Sequence, residues 1–135
     1  MTVRPLTADD VPAIAAIQSR SPEASQWNPS SYLSHDCLVA QRTQVLGFLV
    51  ARQTAPDERE ILNVAVDPGE RRKGVARALL EAELGRGKNH WFLEVRESNS
   101  CAIKLYQSVG FRVVARREAY YADPSEPAIV MKFDS

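Results

Sequence analysis

The chain has 135 residues, of which 44% are apolar and 25% charged, with a formal net charge of zero. That length and balance suit one compact globular domain over residues 1–135 with a core of its own. They exclude the basic footprint of a nucleic-acid binder. In chain order, Thr2–Pro5 reads as a short strand. Asp9 or Asp10 can cap a helix in which Val11, Ile14, Ala15 and Ile17 share one face, and Pro12 is tolerated in its first turn. Ser21–Pro29 is polar and turn-rich, and Pro29–Ser34 is a second, short helix. Cys37–Ala40 and Val45–Arg52 are strands joined by a turn at Arg42–Gln44. Ala55–Glu58 is a turn. Ile61–Val66 is an apolar strand ended by Asp67-Pro68-Gly69. A helix is expected from Lys73 to Leu84, with Val75, Ala76, Leu79, Leu80 and Leu84 as its apolar stripe and Gly85 after its end. Trp91–Arg96 is a strand. Ser98 or Asn99 caps a helix reaching Val109, stopped by Gly110. Phe111–Arg116 and Ala128–Phe133 are the last strands, separated by a loop over Glu118–Pro127. Strands alternating with helices predict an α/β or α+β fold.

Cys37 and Cys101, like His35 and His90, are scattered rather than set at metal-ligand spacing, so no metal site is expected. The opening MTVRPLTADD lacks the apolar stretch of a signal peptide, and no apolar run approaches the roughly 20 residues that span a bilayer. A cytoplasmic protein with reduced thiols, bound to neither membrane nor nucleic acid, is the expectation.

The most informative stretch is ILNVAVDPGERRKGVA, Ile61 to Ala76. An apolar strand leads through a sharp turn and a basic, Gly-containing loop into a helix. The helix start presents unpaired N–H groups and the positive end of the helix dipole. Gly74 permits close backbone approach, and small Ala76 keeps that approach open. Together they make an anion site suited to a diphosphate. By itself, such a loop reads equally as a basic turn in solvent. Farther on, Glu94 alternates with Leu93 and Val95 and so points to the opposite strand face. It is either a surface charge or a functional carboxylate, since a carboxylate within so apolar a strand is costly unless solvated or paired. Tyr106, flanked at helical spacing by Ile103 and Val109, can be a core tyrosine, and Asn99 an N-cap.

The spacing Arg71-Arg72-Lys73-Gly74-Val75-Ala76 fits Q/R-x-x-G-x-G/A, and N-V-A-V-D-P precedes it. In both respects the chain resembles the GNAT acetyltransferases. FLEVRESNSCAIKLYQSVGF, the Tyr120-Tyr121 pair and Pro127-Ala128-Ile129-Val130-Met131 extend the resemblance to the RimI family of protein N-terminal acetyltransferases. Cys101 stands where that family often has alanine, and Pro127 where an acidic residue is usual. Gln26-Trp27-Asn28-Pro29 with Tyr32 resembles the family's P-W-S-x-x-x-F segment more loosely.

The resemblance implies a GNAT fold, a mixed central sheet of about six or seven strands flanked by about four helices. It implies acetyl-CoA as cosubstrate and a protein N-terminus, such as that of a ribosomal protein, as acceptor. Val64, Ala65 and Val66 would pair with the pantetheine arm, and the Val66 amide would polarise the thioester carbonyl. The amides and cations of Arg71, Arg72, Lys73, Gly74, Val75, Ala76 and Arg77 would hold the pyrophosphate. Glu94 would be the general base, Tyr106 the general acid and Asn99 a coenzyme-A contact. Trp27, Tyr120 and Tyr121 read either as the acceptor groove or as packing. Two rival functions remain open at this point: transfer to a lysine or a small-molecule amine on the same fold, and a non-catalytic acyl-CoA-binding module.

Overall fold

The structure is a computed structural model and describes residues 1–22, 27–121 and 125–135, with the backbone alone for Ala119. Its strands are β1 (Thr2–Pro5), β2 (Asp36–Gln41), β3 (Val45–Ala55), β4 (Glu58–Val66), β5 (His90–Arg96), β6 (Arg112–Tyr121) and β7 (Glu126–Asp134). Its helices are α1 (Val11–Ser19), α2 (Val75–Leu84) and α3 (Ser100–Val109), with 3-10 turns at Ala8–Asp10, Pro29–Ser34 and Pro68–Glu70. The short second helix expected from the sequence is thus the 3-10 segment Pro29–Ser34. No helix among the described residues is long and apolar enough to cross a membrane. By its packing the chain divides into two units, residues 1–52 with 61–86, and residues 53–60 with 87–135.

In the first unit the strands run in the order β1-β2-β3-β4. β1 and β2 pair antiparallel, and so do β2 and β3, with a register shift at Ala40/Gln41. Alternation on β4 buries Ile61, Asn63 and Ala65, while Leu62, Val64 and Val66 stay half-buried. The core joins Ile14 and Ile17 of α1 to Tyr32, Val39, Phe48, Val50 and Ala65. Each large apolar side chain fully buried there contributes roughly 1.5–3 kcal/mol. A polar network lies among these residues. Tyr32 donates to Gln18 Oε1 at 2.5 Å, Asn63 Nδ2 donates to the Tyr32 hydroxyl at 3.1 Å, and Gln18 donates to the Trp27 carbonyl. Buried polar groups so paired avoid the cost of lost hydration.

Two expectations shift here. Asp10 does not cap α1 with its side chain. Its carboxylate instead accepts from the Thr7 N–H at 2.8 Å and from both Arg4 Nη atoms at 2.8 Å. Helix α2 starts at Val75 rather than Lys73, because Arg72 (φ 64°) and Gly74 (φ 81°) are left-handed. Glu83 of α2 is fully buried, with Arg86 Nε 3.0 Å from its Oε1.

In the second unit the strands run in the order β5-β7-β6, each neighbouring pair antiparallel. Trp91, Leu93, Phe111 and Met131 are buried. The rings Tyr106, Phe111, Phe133 and Trp91 follow one another at centroid separations of 5.9, 5.6 and 5.9 Å. Gly110 ends α3 at φ 114°, and a Cβ there would lie 2.8 Å from Phe133 Cε2. The last two strands are longer than expected. β6 continues to Tyr121, which pairs with Glu126 of β7, so residues 118–121 and 126–127 are strand rather than loop. Aromatic residues favour such a pleated, half-buried surface. Residues 122–124 lie outside the described residues.

Candidate active site

The first unit carries the loop of the diphosphate signature. β4 ends in Asp67, whose Oδ1 accepts from the Gly69 N–H at 3.0 Å and shapes the Pro68–Glu70 turn. Asp67 N–H in turn donates to Leu46 O at 2.8 Å, which ties the end of β4 to β3. At Gly47 of β3 a Cβ would come within 2.8 Å of Ala65 O. Glycine there lets the two backbones close beside Val64, Ala65 and Val66. The sequence reading passed over Gly47, and only its pairing with β4 gives it meaning.

After the turn, Arg71 is extended, and Arg72 and Gly74 are left-handed. A non-glycine residue in that region costs of order 1–3 kcal/mol and is found where a backbone shape is required. The first backbone bond within α2 runs from Ala78 N–H to Gly74 O at 3.0 Å. The amides of Val75, Ala76 and Arg77 therefore have no acceptor within the helix. A Cβ built on Gly74 meets nothing within 4 Å. The glycine thus supplies conformation and leaves an open approach to these amides. Arg71, Arg72, Lys73, Gly74 and Arg77 are exposed, Ala76 is half-buried, and Val75 is buried. Lys73 Nζ lies 3.3 Å from Glu70 Oε2. A cradle of open amides and cations, with no side chain filling it, fits the diphosphate of an acyl-CoA.

Trp27, also in the first unit, is 40% exposed, and its carbonyl is held by Gln18. Gln26, its neighbour in the looser part of the resemblance, lies outside the described residues. Cys37 is buried, and burial pushes its thiol up to about 12. It stays protonated and unreactive at neutral pH.

The second unit gathers the other site residues. Glu94 projects from β5 on the face opposite the buried Leu93 and Val95, and it is half-buried. Arg117 Nη1 donates to Glu94 Oε1 at 2.7 Å. The same guanidinium lies 4.2 Å from the Tyr120 ring centroid. A hydrogen bond to Glu94 and the Glu94 charge raise the Tyr120 hydroxyl above its ordinary value. Burial, and then Glu94, raise that of Tyr121. Tyr120 and Tyr121 meet edge to face at 5.1 Å, and Arg96 lies 4.3 Å from the Tyr121 ring centroid.

Tyr106 on α3 stacks edge-on against Phe111. Part of the residue is exposed, but burial pushes its hydroxyl up to about 12, with Tyr121 the smaller cause. Contacts through Arg117 and between the two rings join Glu94, Tyr120 and Tyr121, and Tyr121 acts electrostatically on Tyr106. Asn99 is half-buried, and its Oδ1 accepts from the Ala102 N–H at 3.2 Å as the N-cap of α3. Arg117 went unnoticed in the sequence, since nothing local ties it to a carboxylate 23 residues away.

Comparison with known proteins agrees with this geometry. The profile of the Acetyltransferase (GNAT) family matches residues 6–111. The ribosomal protein bS18-alanine N-acetyltransferase of Escherichia coli strain K12 is 35% identical over 142 aligned positions, covering 96% of this chain and 95% of that protein. The crystal structure of the ribosomal-protein-S18-alanine N-acetyltransferase from Escherichia coli superposes with a TM-score of 0.84 at 33% identity, covering 98% of this chain and 92% of that one. Naa20 of Chaetomium thermophilum, in complex with a bisubstrate analogue, gives a TM-score of 0.86 at 25% identity, covering 99% of this chain and 86% of that one.

Proposed function

The chain belongs to the GNAT family of acetyltransferases and is an N-acetyltransferase, and on that premise we propose that it moves the acetyl group of acetyl-CoA to the N-terminal α-amine of a protein. The preferred acceptor is an N-terminal alanine, such as that of ribosomal protein bS18. The observation that carries this reading is Glu94 joined through Arg117 to the Tyr120-Tyr121 pair, with Tyr106 under the influence of Tyr121. It supplies a carboxylate and a protonated phenol beside the aromatic pair of the N-terminal acetyltransferase signature.

The roles follow from the chemistry. The helix-start amides from Val75 to Arg77, with the cations Arg71, Arg72 and Lys73, bind the diphosphate. Val64, Ala65 and Val66 offer strand backbone to the pantetheine arm, and the Val66 amide polarises the thioester carbonyl. Asn99 adds a coenzyme-A contact besides capping α3. The amine must be neutral to attack. A free α-amine has a pKa near 8 and lysine near 10.4, so an N-terminus needs less help from a base. In a ternary complex the amine nitrogen bonds the acetyl carbon and the carbon–sulfur bond breaks. Glu94 takes the amine proton, directly or through a water, and Tyr106 gives its own to the departing thiolate. Holding both substrates in line supplies much of the remaining rate. Tyr120 and Tyr121 line the acceptor.

Mass spectrometry of peptides incubated with the protein and acetyl-CoA tests the reading. A peptide beginning Ala-Arg should gain 42 Da (about one acetyl group) on its α-amine before any internal lysine is modified, the order expected from the two amine pKa values. Preferential acetylation of internal lysines, or of a polyamine over every peptide, would replace the acceptor. Tight acetyl-CoA binding with no coenzyme-A release on any amine would favour a non-catalytic binding module.

A further inference from the structure

Glu94 is held by a partner that the family signature does not include. Arg117 Nη1 lies 2.7 Å from Glu94 Oε1, while the same guanidinium lies 4.2 Å from the centroid of the Tyr120 ring. The Arg117 guanidinium is thus clamped between carboxylate and ring, and Glu94 also acts electrostatically on the Tyr120 hydroxyl. The sheet register builds it, since Glu94 lies opposite Val130, and Arg96 and Arg117 lie opposite Ala128 from either side. The neighbouring charges have their own partners. Arg96 lies 3.0 Å from Glu126, Lys132 lies 3.4 Å from Asp134, and Glu60 acts on Tyr120.

Stability does not explain this arrangement. The Arg117 side chain is 53% exposed, and exposed ion pairs contribute little to folding. Reactivity does explain it. A glutamate on an open strand face swings about three bonds, whereas a group that accepts a proton in the transition state must be held closely in place. A misplacement of about 1 Å can cost a hundredfold in rate. A planar guanidinium gives its edge to a carboxylate while its face rests on a ring; a lysine ammonium would keep the charge beside Glu94 but hold it less firmly.

We propose that Arg117 is a positioning residue for acetyl transfer, fixing Glu94 with the help of Tyr120 in the orientation from which it takes the acceptor's proton. The proposal rests on the reading of Glu94 as the base. Its test is a double-mutant cycle on the full chain, with kcat and KM measured for a peptide beginning Ala-Arg.

Arg117→Ala should lose about tenfold or more in kcat and keep its acetyl-CoA affinity and melting temperature. In a Glu94→Gln background the same substitution should cost less than about twofold, because a residue acting only through Glu94 has nothing left to position. Arg117→Lys should recover part of the loss by keeping the charge. Three results would overturn the proposal: a wild-type rate in Arg117→Ala, the same loss factor in both backgrounds, or Arg117→Lys no faster than Arg117→Ala. Glu94→Gln alone tests the underlying reading. If it runs at the wild-type rate, the base assignment fails. If it is slow and the Arg117 loss is merely additive, the positioning role fails and the base stands.

Discussion

At the scale of single residues, Tyr106 is the sharpest case of two roles on one side chain. Its ring belongs to the aromatic series through Phe111 and Phe133, which is packing. Its hydroxyl, pushed up to about 12 by burial, stays protonated across any assay range and so remains available as a proton donor. Tyr106→Phe keeps the ring and removes only the donor. Turnover should fall by roughly 100-fold, the scale of general acid catalysis, with acetyl-CoA affinity and melting temperature close to wild type. A wild-type rate in this variant would make Tyr106 a core residue alone. The sequence offered both readings of Tyr106 and could not choose, because helical spacing shows which face a residue occupies and not what its far end meets. Asn99 differs in that the two roles read from its sequence are compatible. Its oxygen caps α3 as expected, and its amide nitrogen takes no part in that cap, which leaves the proposed coenzyme-A contact compatible with it.

At the scale of elements, the segment from β4 into α2 was legible because its meaning is local. An apolar run, Asp-Pro-Gly, basic residues and a glycine specify strand, turn, loop and helix within 16 positions. The sequence did not show that the loop would turn left-handed at Arg72 as well as at Gly74, which moves the helix start to Val75. That geometry permits a clean comparison at Gly74. Alanine and glutamate there bear the same left-handed strain, of about 1–2 kcal/mol, and both side chains enter open space. The two variants should melt alike, slightly below wild type. Gly74→Ala should weaken acetyl-CoA binding by about tenfold, and Gly74→Glu by at least a further tenfold, since only the latter sets a negative charge against the diphosphate. Equal affinities in a calorimetric titration of the two variants would remove the diphosphate from this loop. The clamp of Arg117 between Glu94 and the Tyr120 ring was illegible for the opposite reason. Strand pairing decides it, and the register of β6 against β7 shifts between Val113 and Ala115. An unshifted ladder would set Arg116, not Arg117, opposite Ala128. Arg116 instead pairs with Glu97 at 2.5 Å. One extra residue in a bulge thus selects which arginine meets Glu94, and no periodicity announces it.

At the scale of the whole molecule, the carboxylates that titrate abnormally among the described residues share one direction, and this fixes how stability responds to acid. Asp10 is held down to about 2, first by its hydrogen bonds to Arg4. Glu126 is lowered, first by Arg96, and Asp134 is lowered, first by His90 and then by Arg112. For each, the unfolded chain binds a proton at a higher pH than the native protein does. Stability therefore rises with pH through the gap between the two values. The contribution is complete above the unfolded value and is lost as pH falls through the folded one. For Asp10 that window runs from 3.8 down to about 2. Asp10 is buried at 6% exposure, so its ion pair is little screened, and the gap amounts to about 2 kcal/mol. Glu126 and Asp134 add to the same limb from the second unit, through pairs more open to solvent. Urea unfolding of the wild type and of Asp10→Asn, followed from pH 7 to pH 2.5, separates the Asp10 share. The variant should be less stable by about 2 kcal/mol at pH 5 and above. The two curves should converge below pH 4, as protonation removes from the wild type the charge that the variant already lacks. A difference that stays constant down to pH 2.5 would mean that Asp10 acts through its shape and neutral hydrogen bonds to Thr7, and that its charge pairing with Arg4 contributes nothing.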